Sequence, residues 1–232
     1  MTNLFMMDDK ILTDQGAVSI KSSASDLEKL LKESNYKGQR LVKDPLVERS
    51  GIPSLMVHFM THFIAENIIP TDEAFAESYL EEHFTPLHDE TNEFFMANNG
   101  RCPQPLWGEG IRARALRAYP SLIRDVHFYL LCQESKLFDK VVYSLEKDIK
   151  GVDLEITQEG VCYSVSLFVQ TNRSLHYKKM KYSRHDYSER NEICVALDFQ
   201  KCLKAGDFFL YDSYHVRNVM REIRNRQKKA VS

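Results

Sequence analysis

The chain has 232 residues, 43% of them hydrophobic, which suits one large domain or two small ones with a sizeable core and excludes wholesale disorder. No run of about 18 apolar residues occurs and the N-terminus has no basic flank, so neither a membrane span nor a secretory signal is expected, and the location expected is cytoplasmic. The net charge of −2 hides a split: residues 1–100 hold 8 Lys/Arg against 17 Asp/Glu, and residues 101–232 hold 23 against 16, so the second part is the one suited to meet a polyanion.

In chain order, residues 1–22 show no clear period. Ser25 followed by Glu28 has capping-box spacing, and Leu27, Leu30 and Leu31 make one apolar stripe, which predicts a short helix. Residues 36–40 read as a polar linker. Residues 44–99 read as helical, punctuated by Pro45, Pro53, Pro70 and Pro86 and stopped at Gly100, with 54–68 apolar around much of the circumference and therefore buried. A Pro/Gly-bearing connection over 101–110 places a domain boundary there, giving a helical region over 1–104 and a second domain over 105–232. Residues 111–118 continue as helix, and Pro120 and Ser121 restart it through Gln133.

The period then changes. Strands are expected over 140–146, 152–157, 161–171, 192–199 and 207–211, with the second and third joined as a hairpin through Gln158-Glu159-Gly160. A last helix over 213–227 should bury Val216, Val219, Met220 and Ile223 and keep Arg217, Arg221 and Arg224 outside. The fold class is thus α/β (α+β): a helical N-terminal region followed by a mixed sheet flanked by helices.

The stretch KDIKGVDLEITQEGVCYSVSLFVQT (147–171) puts Asp153 at the start of one strand beside polar Gln170, Thr171 and Asn172 at the end of its neighbour. Two-metal phosphodiester hydrolysis uses such a place: carboxylates hold Mg²⁺, the metal activates water and a lysine steadies the developing charge. The order of elements and the GVDLEI phrase resemble the core of the PD-(D/E)XK, or restriction-endonuclease-like, family: a helix, a three-stranded meander, a crossover helix and a further strand. The resemblance implies that Asp153 is the first metal-binding acid. Gln170 falls at the second acid and Asn172 at the lysine, both departures from the pattern. Glu109 is then the candidate replacement metal ligand, and Lys178 or Lys179 the displaced lysine. It implies a Mg²⁺-dependent DNA endonuclease or a relative that has lost catalysis. The plain alternative for Asp153 is a turn or cap residue, and for Glu109 a charge favoured at a helix start.

Residues 173–190, RSLHYKKMKYSRHDYSER, carry six Lys/Arg interleaved with Tyr and His, a composition that can neutralise phosphates and stack on bases. Arg173, Lys178, Lys181 and Arg184 from this segment, with Arg114 and Arg117 upstream, are the candidate contacts to nucleic acid, most readily DNA. Against this stands a non-enzymatic adaptor in which the acidic helical half meets a partner protein or a second subunit. A third reading is a metal hydrolase on His58 and His62, with Glu66 on the same helix face and His83, His88 and Asp89 further on. Five widely spaced cysteines form no CxxC pair and read as free buried thiols.

Overall fold

The computed structural model describes residues 5–7, 10–13, 16–19, 23–37, 41, 43, 45–49, 52–64, 66–84, 104–144, 152–171 and 191–231. The chain divides into two compact units, residues 1–33 with 124–232 and residues 34–123. This corrects the expected boundary between 104 and 105. Two things draw the N-terminal residues into the sheet-bearing unit. Residues 5–7, 10–13 and 16–19 form strands rather than part of a helical region, and the helix over 24–33 belongs to the same unit.

The first unit is built on a seven-stranded mixed sheet. Its strands are β1 (Phe5–Met7), β2 (Lys10–Thr13), β3 (Gly16–Ser19), β4 (Lys140–Ser144), β5 (Leu154–Gln158), β6 (Val161–Val169) and β7 (Glu192–Leu197), in the order β3-β2-β1-β4-β5-β6-β7. All neighbours are antiparallel except β6 and β7, which run parallel with Ser164 opposite Glu192 and Val165 opposite Ile193. The β5–β6 hairpin closes as expected from sequence. Glu159 (φ 52) and Gly160 (φ 75) form a two-residue turn whose twist matches the strands. A period of two sets the core face: Leu154 lies opposite Val165 and Ile156 opposite Tyr163, all buried, and Ile193, Val195 and Leu197 continue that face on β7. Asp153, Glu155, Ser164, Ser166, Glu192 and Cys194 alternate with them.

The sequence places a strand over 207–211 in this sheet. Instead β8 (Leu203–Ala205) and β9 (Phe208–Leu210) pair only with each other, as a separate two-stranded ribbon turning at Gly206. Gly206 has φ +58, and a Cβ on it would lie 2.7 Å from the carbonyl oxygen of Leu31, at the end of α1 (Ala24–Glu33). Glycine is therefore required twice over, for the backbone angle and for the close approach. The α1 cap lies two residues earlier than the Ser25/Glu28 spacing suggests: the Ser23 hydroxyl accepts from the Asp26 N–H at 3.0 Å and donates to its carboxylate at 2.7 Å. Ala24, Leu27 and Leu31 are buried, whereas Leu30 is exposed.

The second unit is helical. It holds α2 (Pro45–Arg49), α3 (Leu55–Phe59) running into a π-helical turn at Met60–Ile64, and α4 (Asp72–His83). Helix α5 (Gln104–Glu134) gives residues 104–123 to this unit and 124–134 to the other. Ser54 caps α3 through Val57 N–H and Thr71 caps α4 through Ala74 N–H. The carbonyls just before these caps take the hydroxyls of two buried tyrosines, Tyr79 onto Pro53 and Tyr119 onto Pro70, both at 2.6 Å. Phe59, Phe75, Tyr79 and Tyr119 form an aromatic core around these anchors. Pro120 lies inside α5 rather than restarting it. Its missing N–H and ring cost about 3 kcal/mol, but Tyr119, Leu122 and Ile123 beside it are buried, at ~1.5–3 kcal/mol each. Expected helix beyond Phe84, up to Gly100, lies outside the described residues.

Helix α6 (Ser213–Val231) packs against β7. Val216, Val219, Met220 and Ile223 are buried, and Arg217, Arg221 and Arg224 are exposed, as the spacing predicts. Val219→Asp should lower stability by several kcal/mol, because it buries an unpaired carboxylate, whereas Arg221→Asp should stay within about 0.5 kcal/mol. Thermal melts of the two variants compare these directly, and equal midpoints would refute the packing. Gly206→Ala should cost about 1–3 kcal/mol from strain alone, read as a lower urea midpoint at unchanged slope.

Candidate functional site

Asp153 precedes β5, with its N–H donated to the Val165 carbonyl at 3.0 Å. Its side chain is half-buried, and Oδ2 accepts the backbone N–H of Leu167 on β6. The carboxylate thus extends the β5–β6 ladder by one rung, a strand-capping role. Gln170 is exposed just beyond β6, with its own N–H on the Leu197 carbonyl at 2.9 Å. Glu109 is exposed on α5 in the other compact unit. Mg²⁺ takes a near-octahedral set of oxygens from carboxylates, phosphates and water. Of the residues expected there, Asp153 and Glu109 carry carboxylates but belong to different compact units, and Gln170 offers only a neutral amide.

The face of β6 and β7 that carries Asp153 is polar. Ser166, buried, donates its hydroxyl to Glu192 Oε1 at 2.6 Å, and Arg226 of α6 donates to the Glu192 carbonyl at 2.8 Å and to the Glu222 carboxylate at 2.9 Å. Between β7 and α6 lies a cleft of ≈ 550 Å³. Gln170, Cys194, Asp198, Lys201, Tyr214 and Arg221 are among the residues lining it. Cys194 and Cys162 are exposed and only Cys132 is buried among the described thiols, which corrects the expectation of uniformly buried cysteines. Burial pushes the Cys132 thiol well above its usual range.

The expected arginine contacts fare unevenly. Arg117 is ion-paired with Glu48, Arg112 with Glu73, and Arg114 donates to the Val47 carbonyl, so these guanidinium groups brace α5 against α2 and α4. Arg124 is buried, with Nε on the Phe209 carbonyl at 3.0 Å. Asn172, Arg173, Lys178, Lys179, Lys181 and Arg184 lie outside the described residues. Exposed cations are displayed instead along α6, where Arg217, Arg221, Arg224, Lys228 and Lys229 face solvent. That helix holds six Lys/Arg and one acid, Glu222.

In the helical unit, His58, His62 and Glu82 converge, with their ligand atoms all within 4.8 Å of one another. His62 Nε2 is 2.7 Å and His58 Nδ1 3.4 Å from Glu82 Oε2, and His83 Nε2 is 3.7 Å from Oε1. The His58 and His62 rings stack at 4.4 Å across the junction of α3 with the π-turn. The expected pairing of the histidines is present, but the carboxylate is Glu82 of α4 rather than Glu66 on their own helix. A period argument cannot reach a neighbouring helix, which is why Glu82 escaped it. His88 and Asp89 lie outside the described residues. Comparison with models of known protein families, with curated proteins and with solved structures finds no match to this chain.

Burial, then the nearby His62 and His83, push the His58 imidazole down to about 3. Its folded value lies below its unfolded one of ~6.5, so the unfolded chain binds the extra proton between these limits and stability falls as pH falls through that window. Urea unfolding in metal-free buffer should lose on the order of 1 kcal/mol per pH unit over part of this range. His58→Gln, which cannot charge, should flatten the slope; an unchanged slope would remove His58 as its source.

Proposed function

We propose that this chain is a nucleic-acid-binding protein whose restriction-endonuclease-like arrangement serves as a binding scaffold rather than a metal-dependent nuclease. The observation that carries the reading is the cationic stripe of α6. Arg217, Arg221, Arg224 and Lys228 follow one another at helical spacing on the solvent side of a helix whose opposite side is buried. At 1.5 Å per residue the stripe runs roughly 16 Å, the length of several successive phosphates along one strand. Buried valines hold the helix in place, so the exposed guanidinium groups can meet phosphate without carrying the fold, Arg217 engaging, among the described residues, only the exposed Ser213 hydroxyl at 3.1 Å.

The sheet supports the same reading. A helix, an antiparallel β4-β5-β6 meander and then β7 parallel to β6 is the order and sense the family resemblance implies. Its crossover helix would fall within 172–190, outside the described residues. Asp153 acting as a strand cap and Gln170 as a neutral amide favour binding over cleavage. Duplex DNA is the ligand class the stripe suits, since its phosphates are regularly spaced.

Fluorescence anisotropy with a labelled duplex tests this. Affinity should fall steeply with salt, and replacing Arg217, Arg221 and Arg224 together by Ala should reduce the slope of log K against log salt by about 2–3, at roughly 0.9 per lost phosphate contact. No binding at low salt, or an unchanged slope in the triple variant, would overturn the proposal. Mg²⁺- or Mn²⁺-dependent cleavage abolished by Asp153→Asn would replace the scaffold reading with a nuclease. Preference for single-stranded RNA over the duplex would replace DNA as the ligand.

A further inference from the structure

The cluster on α3, the π-turn and α4 has chemistry that the nucleic-acid reading does not use. His58 is 2% exposed. Its Nε2 lies 3.2 Å from the Ser78 hydroxyl, while its buried Nδ1 makes no hydrogen bond among the described residues, with Glu82 Oε2 3.4 Å away. A buried ring nitrogen without a partner costs free energy whichever way it is protonated. The Ser78 hydroxyl can meet Nε2 in either tautomer, and the Nε2–H form leaves the Nδ1 lone pair available to an ion. An imidazole held by a hydrogen bond on one nitrogen and aimed with the other is the usual state of a metal-bound histidine.

We propose that His58 Nδ1, His62 Nε2 and the Glu82 carboxylate bind one Zn²⁺-class divalent cation, leaving a fourth position for water or a small ligand. Ligands at about 2.0–2.2 Å from a tetrahedral ion stand roughly 3.3–3.5 Å apart. Two of the three ligand–ligand distances are close to this, and the third lies within 4.8 Å. His58 Nδ1 and Glu82 Oε2 already stand 3.4 Å apart, and His62 Nε2, now 2.7 Å from Oε2, needs to retreat by only part of an ångström as the ion replaces the shared proton. The set of two imidazoles and one carboxylate selects a borderline ion such as Zn²⁺ over Mg²⁺ or Ca²⁺. The His62 and Glu82 side chains are each 39% exposed, so an ion and a fourth ligand can reach the site. The π-turn supports the geometry, since one extra residue per turn brings positions 58 and 62 closer to alignment than a regular α-helix does. His83, near the other carboxylate oxygen, is placed to orient Glu82.

The test uses the untagged chain of 232 residues. Equilibrium dialysis against micromolar Zn²⁺ should load about one ion per chain and raise the melting temperature, with EDTA reversing both. Glu82→Gln and His62→Asn change partly exposed side chains and should fold as wild type, yet bind Zn²⁺ more than about tenfold more weakly. Co²⁺ substitution should give the intense visible bands of a four-coordinate site without thiolate charge transfer. No uptake, full retention of Zn²⁺ by both variants, or a thiolate band placing the ion on the cysteines would each overturn the proposal. None of these readouts depends on nucleic-acid binding.

Discussion

The parallel pairing of β6 with β7 is the constraint on which the sheet-bearing unit depends. Parallel strands cannot be joined by a tight turn, so the chain must leave the sheet after Val169 and return at Glu192. The pairing then has to be fastened by side chains and by the segment that leads out of β7. Tyr211 does part of this: its buried hydroxyl lies 3.3 Å from both the Phe168 and the Val195 carbonyls, one on each strand. Burial pushes that hydroxyl far above its usual titration range, so it stays a donor at any physiological pH. Because Tyr211 lies just before α6, the same contact sets where that helix begins and which of its sides meets β7.

A second fastening acts at the back of this unit. His127, fully buried on α5, lies 3.1 Å from Glu28 of α1, and Glu134 takes the Ala24 N–H at 2.6 Å. Helix α1 is thereby tied to α5 at two points, while its far end rests on the glycine of the β8–β9 turn. Desolvation holds the His127 imidazole below its usual value despite the favourable carboxylate. The contact is therefore a hydrogen bond between a neutral ring and Glu28 at neutral pH, and it specifies position more than it adds stability.

The sequence made most of the strand-bearing half legible, because a period of two with one buried face leaves little freedom: β4, β5, β6, β7 and the α6 stripe all emerge from alternation or helical spacing. What escaped has physical reasons. Strands β1 to β3 are three or four residues each, too short for a period to register, and they join the sheet through the pairing of β1 with β4. Residues 208–210 alternate as a strand should, but alternation does not name the neighbour, and Gly206 folds them onto β8. Pro120 reads locally as a helix start, and tertiary burial overrides it. The arginines of α5 read as a basic surface because their acidic partners, Glu48 and Glu73, are about 40 to 70 positions away in sequence.

The same limit explains why sequence reasoning attached a metal to Asp153 and saw the histidines as a weaker set. An acid at a strand start has two uses that look alike in one dimension: it can offer oxygens to an ion or accept the next free N–H of the neighbouring strand. Here one oxygen of Asp153, Oδ2, accepts the Leu167 N–H, so the strand-capping use is the one displayed. The histidines present the opposite case. Their i, i+4 spacing is compatible with burial alone, and only the approach of α4 supplies an oxygen within 3.4 Å of both rings. A cation drawn to that set is borderline in hardness and needs nitrogen, whereas a phosphate backbone drawn to α6 needs only fixed positive charge. The two sets of side chains use different atoms in different compact units, so substituting the arginines of α6 leaves the imidazoles in place, and substituting the imidazoles leaves the cationic stripe.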